Sequence, residues 1–157
     1  MLSSSILTTF FVSMIPVIEL RGAIPIGTAH GLDLLTAALV SIVGNLAPVP
    51  FIILFVRRVL SWMKTRPGFL ARVANGVESR AAAKSEQVQK YAFWGLAAFV
   101  AVPLPGTGAW TGALIAAMLD MRLSRAFPSI AIGVVGAALI ISLATYGAGN
   151  LLLSIGG

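Results

Sequence analysis

The sequence has no cysteine, one histidine and only five acidic residues among 157. The first absence excludes disulfides and thiolate metal sites, and the second leaves His30 and Asp33 well short of the three or four ligands a metal centre needs. Charge of either sign is scarce: charged residues make up 10% of the chain and hydrophobic ones 58%, with a mean hydropathy of +0.96. A soluble domain has about 25% charged and about 45–50% apolar residues, so the expected solvent is a bilayer. No Gly-Lys-Ser/Thr follows a strand, which excludes a phosphate-binding loop of the nucleotide type. No nucleophile elbow is present either, and His30 is the single base a hydrolase would have. The reading is therefore of a protein that is not an enzyme, with no catalytic residue, metal or cofactor.

The charge that is present is unevenly placed. Arg57, Arg58, Lys64, Arg66, Arg72, Arg80, Lys84 and Lys90 lie in one central stretch with only Glu78 and Glu86 to oppose them, and this stretch accounts for the formal net charge of +6. Outside it, Arg21, Arg122 and Arg125 balance Glu19, Asp33 and Asp120. A basic block between two apolar halves is the pattern of a membrane protein whose middle stays in the cytoplasm. A nucleic-acid binder would instead line a folded soluble face with its basic residues. The apolar start, Met1 to Met14, lacks a basic n-region and a small-residue cleavage site, so it reads as retained.

A spanning helix takes about 20 apolar residues. Residues 34–56 and 126–147 supply that length. Two other apolar stretches are interrupted. The first contains Pro16, Glu19, Arg21, Gly22, Pro25 and Gly27, and the second, between Tyr91 and Leu119, contains Pro103, Pro105, Gly106, Gly108 and Gly112. Proline removes a backbone donor and glycine admits conformations closed to other residues, so each stretch should break near its middle. If residues 91–119 crossed once, Arg122 and Arg125 would lie outside, against the positive-inside tendency. As a re-entrant hairpin, each arm has about 12 residues, or roughly 18 Å of helix, enough to pass the midplane of a core about 30 Å thick.

The expected fold is thus an all-α polytopic membrane protein with one domain built as an inverted repeat. The first repeat, 1–58, has a hairpin over 2–29 that enters from the outer face and a span over 34–56. A basic cytoplasmic segment, 59–90, follows, with a surface turn from Trp62 to Phe69 and a helix from Glu78 to Lys90 carrying a Glu86–Lys90 pair. The second repeat, 91–157, has a hairpin over 91–119 and a span over 126–147. Both termini lie on the outer face. A weak internal match supports the repeat: a break (Leu20-Arg21-Gly22 or Leu104-Pro105-Gly106), an acid (Asp33 or Asp120) and a span glycine (Gly44 or Gly133). Transporters built this way bind where broken helices meet.

Glu19 and Arg21 are the leading candidates for function, because ionised residues at membrane depth are costly and tolerated mainly at functional sites. In an unwound segment with Gly22 and Pro25 the pair can face one cavity. Arg21 can hold a phosphate or carboxylate, and Glu19 can take up and release a proton. The run Pro103, Pro105, Gly106, Thr107, Gly108, Trp110 and Thr111 offers freed N–H groups and a half-helix N-terminus as an anion site. Asn45, beside Gly44 and before Pro48 and Pro50, either faces that cavity or bonds between helices. His30 reads as an interfacial residue and Asp120 as a helix cap or a partner of Arg122 and Arg125.

Taken together, Glu19-Leu20-Arg21-Gly22-Ala23-Ile24-Pro25 and the run from Pro103 to Gly112 resemble the small multidrug export proteins, over nearly the whole chain. That family is in turn similar to the DedA and VTT membrane proteins. The resemblance implies two inverted re-entrant hairpins, a bacterial inner-membrane location, and movement of lipid phosphates coupled to protons or sodium. One departure stands out: DedA proteins are expected to carry arginines in the second hairpin, and Phe99 to Leu119 has none. Arg21, or Arg122 and Arg125, would have to substitute. The expected function is transport of an anionic lipid or amphiphile between leaflets, with Glu19 as coupling group and Arg21 as anion contact. The alternatives are a drug/proton antiporter for small hydrophobic cations and a non-transporting scaffold acting through the basic segment. Membrane lipids, the cargo, coupling ions and a second copy in a homodimer are the expected partners, and nucleic acid is not.

Overall fold

A computed structural model describes residues 2–64, 86–104 and 106–155. The regular structure among these residues is helical: α1 (Leu2–Met14), α2 (Glu19–Ala29), α3 (Leu34–Leu46), α4 (Val49–Lys64), α5 (Glu86–Ala101), α6 (Ala109–Met118) and α7 (Leu123–Ile155). Of the turn expected over Trp62 to Phe69, Trp62 to Lys64 are still helical and the rest lies outside the described residues. The helix expected over Glu78 to Lys90 is present from Glu86, and its earlier part, together with the Glu86–Lys90 pair, also lies outside them.

α1 and α2 pack side by side around a turn at residues 15–18, and Ser5 Oγ donates to the His30 carbonyl at 3.1 Å, tying the start of one arm to the end of the other. This is a helical hairpin. α5 and α6 pack together in the same way around residues 102–108. The first break is shorter than the sequence suggests. Helix resumes at Glu19 and continues through Gly22 and Pro25, so the segment around Arg21 is wound rather than unwound. A proline removes only one N–H from the ladder, and the buried face of α2, Leu20, Ala23, Ile24 and Gly27, holds the remaining turns in place.

Both hairpins leave by the same turn. At the end of α2, Gly31 N–H bonds Thr28 O and Leu32 N–H bonds Gly27 O; at the end of α6, Asp120 N–H bonds Ala117 O and Met121 N–H bonds Ala116 O. These are the paired bonds of a Schellman ending, which requires a left-handed residue at its apex. Gly31 (φ +84°) and Asp120 (φ +50°) supply it. Asp120 is therefore the apex of the α6 ending rather than a cap of the next helix. It pairs with Arg57 at 2.9 Å. Asp33 does cap α3, accepting from Thr36 N–H at 2.9 Å.

Among the described residues, two helices are long and apolar enough to cross a membrane, Leu34–Met63 and Leu123–Gly147. The first joins α3 and α4 across Ala47 and Pro48, and it runs past Val56, where the sequence suggested an exit. Arginine is a good helix former, so Arg57 and Arg58 do not end the helix. The second starts at Leu123, ahead of Ala126, and carries Pro128 inside it, where the missing N–H leaves one ladder carbonyl without its helical donor. Each hairpin's returning arm packs on the long helix of the other half: α6 on α4, and α2 on α7. Leu20, Ile24, Val49, Ile53, Val100, Ile130 and Val134 form the core there. Large apolar side chains such as Leu35, Phe51, Phe55 and Leu143 stay exposed on the outer faces. An apolar outer surface of this extent suits lipid and not water.

Candidate functional site

The hairpin tips meet, and Glu19 and Arg21 of the first reach across to the second. The Arg21 guanidinium donates to the backbone carbonyls of Leu104 and Thr107, and to Thr107 Oγ1 at 2.9 Å. Those carbonyls lie in a loop outside any helix ladder. A planar fork with five N–H donors suits two adjacent acceptors better than an ammonium would. Thr107 in turn fastens the loop to itself, its hydroxyl donating to Val102 O at 2.5 Å.

Glu19 starts α2 with φ +49° and is 6% exposed. Its carboxylate lies against Gly108, where an added Cβ would come within 2.6 Å of Oε1, and Trp110 N–H points to Oε1 from 3.5 Å. Gly108 opens α6 and has no side chain to cap it. The N-terminus of α6, expected from the sequence to offer an anion site, has the Glu19 carboxyl group against it. Helix N-termini favour negative charge through their free N–H groups and dipole. Glu19 and Arg21 do not pair with each other; each directs its charge across to the other hairpin. In return, the Trp110 indole N–H donates to Met14 O at 3.0 Å, closing the junction from the other side.

A cleft of about 560 Å³ opens at this junction, lined by Glu19, Arg21, Pro103, Gly106, Thr107, Trp110 and Thr111 with Pro16, Val17 and Leu114. Seven of the expected site residues are thereby brought together, and Gly108 sits directly beneath Glu19. Three lie elsewhere. Gly22 packs against the Ile18 side chain, Pro25 is exposed further along α2, and Asn45 is buried in α3. Pro105 lies outside the described residues. Sequence reasoning missed Val17 and Leu114, ordinary apolar residues with no distinguishing pattern. It also missed the carbonyls of Met14 and Leu104, because backbone acceptors leave no mark in a sequence. Among the described residues, no cluster of His, Cys, Asp or Glu could hold a metal ion.

A family model described as "Putative small multi-drug export protein" matches residues 19–140. The match starts at Glu19, just past the first turn, and runs through the second hairpin and Leu34–Met63 into the last long helix, and the chain belongs to that family. No curated protein and no solved structure gives a match. The family and the two long apolar helices together mark a membrane protein of the small multidrug export kind.

Proposed function

We propose that the protein exports small hydrophobic cations in exchange for protons, with Glu19 as the group that takes proton and cargo in turn. The observation that carries this reading is the unequal state of the two charges in the cleft. Arg21 is engaged by the Leu104 and Thr107 carbonyls, while Glu19 stands in the cleft wall with a single long contact to a backbone N–H. An arginine already surrounded by acceptors repels a cation less than a bare one. It is also less available to an anionic lipid. The cleft suits such a cargo in size, since small-molecule pockets span about 300–1,000 Å³. Val17, Leu114 and the Trp110 ring offer apolar contact, and an aromatic face attracts cations.

Proton and cargo exclude each other in this scheme because both neutralise one carboxylate. Either one weakens the hold of Glu19 on the start of α6, so loading loosens the junction that Arg21 keeps closed. The reading includes two hairpins dipping into the membrane from opposite faces, as inverted copies, in the bacterial inner membrane with the basic segment cytoplasmic. Support for the repeat comes from the matched endings at Gly31 and Asp120 and from the crossed packing of α2 and α6.

The test is efflux of a fluorescent hydrophobic cation from proteoliposomes under an imposed proton gradient. Wild type should export and Glu19→Gln should not, although Glu19→Gln keeps its fold. Equal export by the variant removes the proposal. A parallel arm follows leaflet exchange of a labelled lipid phosphate; exchange there without cation efflux would instead favour the anionic cargo and DedA-like kinship. If neither activity responds to Glu19 or Arg21, and removing charge between Arg72 and Lys90 abolishes function in cells, the scaffold alternative holds.

A further inference from the structure

The long helix Leu34–Met63 measures the depth of the cleft. α2 lies against α3 and ends, through the turn at Gly31, where α3 begins; α6 lies against α4 and ends where Asp120 meets Arg57. The two returning arms therefore leave from opposite ends of the long helix and point toward each other. From Leu34 to Arg57 that helix covers about 36 Å. α2 has 11 residues and α6 has 10, roughly 16 Å and roughly 15 Å of helix, so together they fill nearly the whole distance and meet near its middle. The contact of Glu19 with Gly108 is that meeting point. In a membrane crossed by the long helix, with a hydrocarbon core about 30 Å thick, it lies about 15 Å from either surface.

At this depth the exposed side chains around the cleft are apolar. Val17, which lines it, is 93% exposed, and Leu114, which also lines it, is exposed as well. Ile15, Val102 and Leu104, on the two tips, are exposed too. Polar side chains would rim a mouth that opened into water, whereas a contiguous apolar rim at mid-depth has hydrocarbon as its solvent. The charged groups are the withdrawn ones: Glu19 is buried, and Arg21 is turned onto the Leu104 and Thr107 carbonyls.

We infer that the cleft is loaded sideways from the hydrocarbon core, past Val17, and that its cargo is the class of cation that dissolves there. Such a cation carries its charge delocalised or wrapped in an apolar shell, while a small ammonium is held back by its hydration. For the sign of the cargo's charge this rests on the export reading; the route and the lipophilicity go beyond it.

The chain has no cysteine, so a nitroxide on Val17→Cys marks the mouth alone, and the exposure of Val17 leaves room for the label. The full-length protein in liposomes is the sample. The label should collide freely with oxygen, which concentrates in hydrocarbon. Its collisions with a water-soluble nickel chelate should be at least ~tenfold fewer than those of a label on His30→Cys, at the exposed end of α2, because a polar reagent stays out of the core. Tetraphenylphosphonium should immobilise the label at position 17, and tetramethylammonium should not. Leu104→Cys, on the other tip, gives the same two readouts where the first variant fails to fold. Chelate collisions at position 17 equal to those at position 30 overturn the inference, as does a label that both cations immobilise equally or that neither affects. None of these readouts needs a proton gradient. A water-exposed label beside Glu19-dependent efflux would strike the route and leave the export reading, and a lipid-facing label beside efflux indifferent to Glu19 would strike the export reading and leave the route.

Discussion

The two hairpins have the same frame and opposite chemistry. Set in register by their endings, Gly31 and Asp120, the halves are offset by 89 residues, and the same offset pairs Gly44 with Gly133, Glu19 with Gly108 and Arg21 with Trp110. The paired span glycines have a common task. A Cβ at Gly44 would meet Phe10 O of α1 at 2.5 Å, and one at Gly133 would meet Ala97 O of α5 at 2.6 Å, so each lets the long helix approach the entering arm of its own hairpin. At the tips the pairing becomes an exchange. Arg21 donates to a carbonyl of the second tip, Leu104, while Trp110 donates to a carbonyl of the first, Met14. The difference lies in charge: the first hairpin brings a carboxylate and a guanidinium, and the second answers with backbone groups, an indole and a glycine that leaves room. A junction held by ions on one side only can be switched by neutralising that side.

Removing Arg21 should break this comparison most severely. Arg21→Ala strips the donor from two loop carbonyls and a hydroxyl; a hydrogen bond to a charged group contributes ~1.5–3 kcal/mol net, and loop carbonyls that can turn to water lose less than the full sum. A loss of about 2–3 kcal/mol in unfolding free energy is expected, together with loss of export. Arg21→Lys should recover only part of it, since a single ammonium does not reproduce the fork. Full recovery by lysine would mean that charge alone, and not geometry, joins the tips.

Gly108→Ala comes next. The new methyl would collide with the Glu19 carboxylate, and φ +153° strains any side chain there. A destabilisation of about 2 kcal/mol is expected, within the range for overpacking. A double-mutant cycle sharpens the point. Combined with Glu19→Ala, which clears the carboxylate, Gly108→Ala should cost less, with a coupling of at least ~1 kcal/mol. Strict additivity would show that the two halves do not press on each other at this position.

Much of this arrangement was legible in the sequence, for identifiable reasons. Prolines and glycines marked both hairpins because their effect on the backbone is local. Glu19 and Arg21 stood out because charge in an apolar stretch has few innocent explanations. Gly44 and Gly133 each lie close against a neighbouring helix, whereas Asp33 and Asp120, matched as equivalent acids, differ: one caps α3 and the other turns the chain after α6. Acidic residues serve at both kinds of helix end, and only the bonds distinguish them. The extent of the first break was overread because Gly22 and Pro25 signal disruption on their own and are overruled by the packing of Leu20 and Ile24.

A second tie between the halves lies away from the tips, and it should prove weaker. Arg57 Nη2 bonds Asp120 at 2.9 Å and Met121 O at 2.6 Å, but the Asp120 side chain is 65% exposed. Exposed ion pairs contribute about 0–1 kcal/mol, so Asp120→Asn should cost roughly 0.5 kcal/mol, less at high salt. Arg57→Ala also forfeits the Met121 carbonyl and should cost about 1–2 kcal/mol. If Asp120→Asn proved as damaging as Arg21→Ala, the tips would lose their standing as the main joint between the halves.

The smallest effect is expected at Asp33, where the two halves differ in how the long helix begins. α3 starts from a carboxylate cap; α7 starts after Arg122, with no acid in its first turn. The Thr36 N–H bonded to Asp33 holds its carboxyl below the ordinary value of 3.8. A group whose folded pKa is depressed contributes stability that is present above its unfolded pKa and lost as pH falls through the folded one. The contribution of Asp33 should therefore be complete near neutrality and disappear only in acid below 3.8. Asp33→Asn, which retains a good cap without the charge, should unfold almost as wild type at neutral pH and flatten this acid-side slope. Asp33→Ala should be less stable at neutral pH and converge on wild type in strong acid. An acid-side slope unchanged in both variants would place the titrating group elsewhere and remove the distinction between the two helix starts.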